Sequence, residues 1–177
     1  VGKGSTFTVD VPFGRASGEG AATCDDAFAA RSRTHGDGVS YDFSGRRVIV
    51  AEDNELNREI ATEVLAMAGA EVLAASTGAE AVRAFERSHP GSVDLIFMDI
   101  QMPEMDGYEA TRVIRSLDRD DARSVPIVAM TANAFVEDEE RSRMSGMDGH
   151  LSKPLDIHLV YATMDRFLRG RPRGGGA

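Results

Sequence analysis

The chain has 177 residues, with 20 lysines and arginines against 29 aspartates and glutamates, which gives a formal net charge of −9. This acidic balance argues against direct nucleic-acid binding. The single cysteine, Cys24, cannot form an internal disulfide, which fits a reducing compartment, and we expect a cytoplasmic location. No apolar stretch approaches the roughly 18 residues that span a bilayer, so we expect no membrane contact by these residues.

The first 45 residues are expected to lie outside the main domain. Residues 1–13 open with glycines and continue with alternating polar and apolar residues, which predicts a strand after a Gly-rich turn. Residues 14–45 are rich in Gly, Ala, Ser, Asp and Arg, and such a segment buries too little apolar surface to offset its ordering entropy. We therefore predict a flexible linker over 14–45, with local docking of Phe28, Tyr41 and Phe43 as the less favoured alternative, and a disordered tail over 170–177.

Residues 46–169 alternate short apolar segments with longer amphipathic ones, which predicts a parallel sheet covered by helices on both faces. The first helix, about 54–68, is expected to place Leu56, Ile60 and Met67 with Val64 on one apolar face. The second begins at a capping box formed by Thr77 and Glu80, the third is capped by Asp106, and the fourth spans about 134–145. The apolar positions predicted on the third and fifth helices are Val113, Ile114, Leu117, Leu155, Leu159, Val160, Met164, Phe167 and Leu168.

Polar residues close the apolar strand segments at the same end each time. The first strand runs into Glu52 and Asp53, an unbroken apolar run ends at Asp99, and two later strands end at Thr131 and Lys153. Each residue alone has a local explanation as a helix cap, a turn residue or a solvated charge. Ligands of open parallel α/β sheets bind outside the carboxyl ends of the strands, so the recurrence favours one shared site there.

Four motifs in a fixed order carry these residues: Val50-Ala51-Glu52-Asp53-Asn54 with Asn57-Arg58, Met98-Asp99-Ile100-Gln101-Met102-Pro103 with Asp106-Gly107, Met130-Thr131-Ala132-Asn133-Ala134, and Gly146 to Pro154. They closely resemble the receiver domain of two-component response regulators, in the version carried by hybrid sensor histidine kinases. The resemblance covers roughly residues 46–169. It implies a flavodoxin-like fold with a five-stranded parallel sheet in the order 2-1-3-4-5. Residues 1–13 are similar to the end of such a kinase's ATP-binding domain, and we expect a remnant there that cannot bind ATP.

The resemblance implies a phosphoacceptor site with Asp99 as the nucleophile. Asp53 and Asp99 are the expected direct ligands of Mg²⁺, the backbone carbonyl of Gln101 is a third, and Glu52 acts through water. Mg²⁺ prefers oxygen ligands and keeps several waters, which suits a site with few protein ligands. Crowding of the three carboxylates predicts raised pKa values and mutual repulsion when no metal is bound.

Further expectations concern the phosphoryl group. The resemblance implies that Thr131 and Lys153 contact its oxygens and that a cis peptide before Pro154 aims the Lys153 ammonium. Gln101 and Asn133 are expected to tune hydrolysis. At the position of the Tyr or Phe that switches many receivers, this sequence has His150. Its role as a switch or as a structural histidine stays open.

The expected partners are a histidine kinase domain as the phosphodonor and a histidine phosphotransfer protein as the acceptor. Only a short tail follows the last predicted helix, so we expect relay rather than a fused output domain. The chain is expected to catalyse its own aspartyl phosphorylation and dephosphorylation but to lack kinase activity, which belongs to a parent histidine kinase that is itself a candidate for membrane anchoring.

Other functions fit the sequence less well. A haloacid-dehalogenase-type phosphatase needs a second Asp two residues after the first, where this chain has Gln101. A dinucleotide-binding fold needs a Gly-rich turn after the first strand, and none is present. The remaining alternative is a receiver-like scaffold that binds partners without phosphotransfer. Loss of one or more of the polar residues at the strand ends would favour it, and all five are present: Glu52, Asp53, Asp99, Thr131 and Lys153.

Overall fold

The computed structural model describes residues 41–132 and 136–171, without the side chains of residues 136–140. The elements in chain order are β1 (Arg47–Ala51), α1 (Glu55–Met67), β2 (Glu71–Ala75), α2 (Gly78–Arg87), β3 (Leu95–Asp99), α3 (Gly107–Ser116), a 3-10 helix (Asp120–Arg123), β4 (Ile127–Thr131), α4 (Val136–Ser145), β5 (Gly149–Ser152) and α5 (Ile157–Leu168). Within this part of the chain, no helix combines the length and apolarity that crossing a bilayer requires. The expectations for residues 1–13, most of 14–45 and Asn133 lie outside the described residues.

The five strands form one parallel sheet in the order β2-β1-β3-β4-β5, which confirms the flavodoxin-like topology. Every residue of β3 and β4 is buried, because helices cover both faces of the central strands. Two apolar clusters result, one on each face of the sheet. The unbroken apolar run before Asp99 therefore reflects burial on both faces.

The register brings the carboxyl ends of the strands together. Ala51 at the end of β1 pairs with Met98, and Asp99 at the end of β3 pairs with Met130. Hydrogen bonding continues one residue beyond the ends of β1 and β5. The Glu52 amide donates to the Ala75 carbonyl at 3.0 Å, and the Lys153 amide donates to the Thr131 carbonyl at 2.7 Å. The polar residues that follow the strands are thus held by the backbone of the sheet itself.

Helix α1 packs with a different face from the one predicted. Leu56, Ile60 and Met67 are 64%, 49% and 41% exposed, whereas Val64 is buried as expected. The residues that face the sheet are Ala61, Val64 and Leu65. The buried face of α1 is thus turned from the predicted one, and the larger apolar residues lie toward solvent. Leu56 and Ile60 therefore form an exposed apolar strip on the first turns of α1, beside the carboxyl edge of the sheet.

The predicted caps of α2 and α3 form, but the capping box of α2 is only half formed, because the Glu80 carboxylate accepts from the amide of Ser76, one residue before the cap, at 2.8 Å. The Thr77 hydroxyl accepts a hydrogen bond from the Glu80 amide, and the Asp106 carboxylate accepts one from the Glu109 amide. The apolar faces of the later helices are predicted less completely. Ile114 is buried and Val113 and Leu117 are only partly so; on α5, Val160, Met164 and Leu168 are buried while Leu159 is 54% exposed.

The predicted linker over 14–45 is wrong for its last residues. Phe43 is 5% exposed, and its amide donates to the Ala68 carbonyl at 2.7 Å. Its ring centroid lies 6.0 Å from that of Tyr161 and 5.9 Å from that of Tyr41. Aromatic rings bury enough area to hold a short segment that is otherwise polar, and the composition of 14–45 as a whole obscured this.

The start and the end of the packed domain are joined to each other. Arg46 forms a buried ion pair with Asp94 at 2.8 Å, and its second terminal nitrogen donates to the Arg171 carbonyl at 2.8 Å. The Arg171 guanidinium in turn donates to the Ser124 carbonyl at 2.7 Å. The prediction of a disordered tail from residue 170 onward is therefore wrong for its first two residues, and residues 172–177 lie outside the described part of the chain.

Candidate functional site

Asp99 lies at the end of the central strand with 4% of its surface exposed. One carboxylate oxygen, Oδ1, accepts a hydrogen bond from the Gln101 amide at 3.2 Å, and Oδ2 accepts one from the Lys153 ammonium at 2.6 Å. The chain turns back at Gly107, where a Cβ atom would lie 2.2 Å from the Asp99 carbonyl oxygen. Only glycine fits there, so the Asp-Gly step after the loop allows α3 to begin directly against Asp99.

Lys153 bridges two buried carboxylates. Its Nζ atom lies 2.5 Å from Glu52 Oε2 and 2.6 Å from Asp99 Oδ2. The peptide bond between Lys153 and Pro154 is cis, as the family resemblance implied. Lys153 follows β5, which lies at the edge of the sheet. Its ammonium nevertheless lies between the ends of β1 and β3.

Glu52 is 1% exposed and both of its carboxylate oxygens have donors. Oε2 faces Lys153, and Oε1 accepts a hydrogen bond from Asn57 Nδ2 at 3.1 Å. The Arg58 guanidinium holds the backbone of the same loop, with hydrogen bonds of 2.7 Å to the Glu52 carbonyl and 3.2 Å to the Asp53 carbonyl. The acidic loop is therefore fixed from the first turns of α1.

The carboxylates of Glu52, Asp53 and Asp99 offer oxygen atoms that all lie within 4.8 Å of one another. An all-oxygen donor set of this kind suits Mg²⁺. Asp53 is exposed and accessible, whereas Glu52 is already engaged by Lys153 and Asn57, which agrees with a role through water. The Gln101 side chain is exposed and its amide faces Asp99, so the expected use of its carbonyl stays a prediction.

The other predicted residues fall at the same edge. Thr131 is 8% exposed and ends β4, opposite Ser152 of β5. Ala132 follows and is exposed. His150 is exposed on β5, where it pairs with Ala129. It lies two residues before Ser152, the last residue of the strand. The expectation for Asn133 falls outside the described residues.

Burial is the main cause that raises the pKa of the Asp99 carboxyl above its ordinary value, and the Glu52 charge adds to it. The hydrogen bond and charge of Lys153 act in the opposite direction without cancelling burial. For Lys153, burial lowers the pKa, but the hydrogen bonds to Asp99 and Glu52 prevail and raise it. The Lys153 ammonium therefore partly relieves the predicted repulsion among the carboxylates. From the sequence, this side chain was expected to contact only the phosphoryl group.

Asn57 and Arg58 belong to the first of the four sequence motifs, but no function was predicted for them. A signal was present, because both follow an Asn54 helix cap and sit on the first turns of a helix that begins at the acidic loop. Asn has low intrinsic helix propensity, so an Asn one turn into a helix indicates a side chain that hydrogen-bonds to a group outside the helix.

Together these observations define a doubly wound α/β protein whose parallel strands present three carboxylates, a hydroxyl and an ammonium at one edge. A family model described as the response regulator receiver domain matches residues 48–165, and the chain belongs to that family. It is a receiver domain of a two-component system, which confirms the resemblance.

Relatives include receiver domains of histidine kinases. Histidine kinase 3 of Arabidopsis thaliana is 34% identical over 142 residues, which cover 70% of this chain and 14% of that protein. The chain thus spans about one seventh of that relative. The receiver domain of the sensor histidine kinase PA1611 from Pseudomonas aeruginosa PAO1, solved with a magnesium ion coordinated in its active-site cleft, is 35% identical with a TM-score of 0.64, over 71% of this chain and 98% of that one.

A third relative was crystallised with a partner. The receiver domain of the Saccharomyces cerevisiae response regulator Ssk1, in complex with the histidine phosphotransfer protein Ypd1, matches with a TM-score of 0.62 and 28% identity, over 69% of this chain and 88% of that one.

The raised pKa of Asp99 predicts a pH-dependent effect of Asp99→Asn on stability in EDTA. The folded state holds the Asp99 proton more tightly than the unfolded state, so the associated stability is present at low pH and is lost as the pH rises through the folded pKa. Asn mimics the protonated form at every pH. We expect the variant to be more stable than the parent at pH 7.5, and the difference to shrink toward pH 4.

Urea denaturation of both proteins between pH 4 and pH 7.5 measures this difference. Glu104→Gln, which neutralises an exposed acid in the next loop, is the matched control and should show no comparable trend. A constant difference between Asp99→Asn and the parent across this range would contradict the prediction.

Proposed function

We propose that Asp99 accepts a phosphoryl group from a phosphohistidine of a kinase domain and passes it to a histidine phosphotransfer protein. The observation that carries the proposal is the Lys153 ammonium, 2.6 Å from the Asp99 carboxylate at an edge that also gathers Glu52 and Asp53. A carboxylate attacks phosphorus only where the charge of the phosphoryl oxygens is neutralised, and this edge supplies both the cation and a metal-binding donor set.

In the forward step, an Asp99 carboxylate oxygen forms a bond to phosphorus as the N–P bond of the phosphohistidine breaks. The imidazole leaves with the bonding electron pair and takes up a proton from solvent. Transfer to a phosphotransfer protein is the reverse step, in which a neutral imidazole nitrogen attacks and the Asp99 carboxylate is regenerated. The acyl phosphate on Asp99 is thus an intermediate carrier.

Each neighbouring residue has a separate part in the proposal. Lys153, already in contact with Asp99, turns its ammonium to a phosphoryl oxygen, and the Thr131 hydroxyl donates to another. The Gln101 amide orients the Asp99 carboxylate through Oδ1. Bound Mg²⁺, held by Asp53, Asp99 and the Gln101 carbonyl, would neutralise charge on the transferring group.

Labelling by a small phosphodonor tests the acceptor. Incubation with acetyl phosphate and Mg²⁺ should add one phosphoryl group to the intact mass, and Asp99→Asn should abolish this acid-stable, base-labile shift. Glu104→Gln, in the exposed loop after the acceptor, should be labelled like the parent. Unimpaired labelling of Asp99→Asn would remove the proposal, and absence of labelling in the parent would favour the scaffold alternative.

Thermal melts test the metal. A ligand that binds only the folded state stabilises by RT ln(1 + [L]/Kd), about 1.4 kcal/mol at roughly ten times Kd. We expect millimolar Mg²⁺ to raise the melting temperature of the parent, and Asp53→Asn to lose most of that gain. Because Asp53 is exposed, the same variant should differ little from the parent in EDTA.

Monovalent salt at matched ionic strength controls for screening in these melts, and Glu104→Gln should keep the full gain from Mg²⁺. A parent that responds to Mg²⁺ no more than to the salt control would show that the metal assignment is wrong.

The exposed apolar strip of α1 supports a protein as the phosphodonor and acceptor. Ile60 and Leu155 line both the open cleft that contains Lys153 and an apolar groove that continues between α1 and α5. Leu56, 64% exposed, extends this surface along α1. A protein that brings an imidazole to Asp99 covers the rim where these side chains lie. We therefore assign the rim to a histidine phosphotransfer partner, the class of protein with which the related Ssk1 receiver was co-crystallised.

Ile60→Ser should slow phosphoryl exchange with a histidine phosphotransfer protein by about ten-fold while labelling by acetyl phosphate stays within two-fold, since it removes apolar contact area without touching Asp99. Met144→Ser is the matched control, because Met144 is 86% exposed on α4, away from the rim. Transfer of radiolabelled phosphate to Ypd1 as the probe measures the rates. Equal losses in both variants, or in neither, would contradict the assignment.

A further inference from the structure

Asn57 occupies an unusual place at the start of α1. Asn54 caps the helix and its side chain accepts the Asn57 amide at 3.1 Å. A side chain at this third helical position commonly reaches back to the backbone of the cap residue. The Asn57 side chain instead donates to Glu52 Oε1 at 3.1 Å, outside the helix.

This hydrogen bond divides the two oxygens of Glu52 between two donors. With Oε1 held by Asn57, Oε2 is the atom that faces Lys153 at 2.5 Å. Arg58 fixes only the backbone of this loop, through the Glu52 and Asp53 carbonyls. The orientation of the Glu52 carboxylate within the site therefore depends on Asn57 and Lys153.

We propose that Asn57 is a positioning residue for phosphoryl transfer, which acts by holding Glu52 as the fixed anchor of the Lys153 ammonium. The inference rests on the proposed function and adds a residue to it. Lys153 contacts Asp99 and Glu52 before transfer, and it must leave Asp99 Oδ2 for a phosphoryl oxygen during transfer. The contact with Glu52 is the one that can persist through this change.

Loss of the Asn57 amide would have two separate consequences. Glu52 Oε1 would lose its hydrogen-bond donor at a residue that is 1% exposed, and the carboxylate would be held through Oε2 alone, by the same ammonium that must move during transfer. The long Lys153 side chain would then lose a fixed anchor, and the rate of transfer would fall. The direct metal ligands Asp53 and Asp99 would keep their places, so the affinity for Mg²⁺ would change little.

The test measures initial rates of phosphorylation of the full chain by acetyl phosphate over a range of Mg²⁺ concentrations. We expect Asn57→Ala to lower the rate at saturating Mg²⁺ about five- to ten-fold, with the half-saturating Mg²⁺ concentration within about two-fold of the parent. Asn57→Asp has the same shape but replaces the donor by a negative charge, and it should be slower still. Asn57→Gln restores an amide donor and should recover a substantial part of the rate.

Asn54→Ala is the control for the helix, because it removes the cap of α1 without a contact to the Glu52 side chain. It should lower the melting temperature and leave the rate within two-fold of the parent. Rates equal to that of the parent for Asn57→Ala, or an equal loss in Asn54→Ala, would overturn the inference while the proposed function stands. An unlabelled parent would instead remove the proposed function, and the inference with it.

Discussion

The bridge from Lys153 to Glu52 and Asp99 is the interaction on which the rest of the site depends. Two carboxylates that are each less than 5% exposed would be strongly destabilised as unpaired charges, and one ammonium within 2.6 Å of both compensates them. The backbone of Lys153 is held beside β4 by the hydrogen bond that its amide donates to the Thr131 carbonyl. Pairing of the last strand with the sheet is therefore a condition for the charge balance of the first and third strands.

The same constraint connects stability with chemistry. Burial makes Asp99 costly to ionise, and in the proposed transfer the ionised form is the one that attacks phosphorus. A cation that lowers this cost in the resting protein is also correctly placed to meet the negative charge of a phosphoryl group. The backbone around Asp99 leaves little freedom for other arrangements, because Gly107 packs directly against the Asp99 carbonyl.

The strand ends could be predicted from the sequence because an unbroken apolar run needs burial on both faces, and a polar residue that ends it must lie at the sheet edge. The face of α1 could not be predicted in this way, since its apolar residues exceed what one face can bury and the buried face includes the small Ala61 in place of Ile60. Phe43 was concealed by the polar composition around it. The bond from Asn57 to Glu52 depends on side-chain geometry that spacing alone does not give.

The Arg46 guanidinium, which joins the first packed residues to the Arg171 carbonyl, has a consequence for how such a domain is carried in a longer polypeptide. Entry and exit of the chain lie side by side at the amino-terminal edge of the sheet, and the acceptor carboxylate lies at the far edge. Both attachment points of the packed domain therefore lie at the edge of the sheet opposite Asp99, outside the approach of a phosphohistidine to that carboxylate.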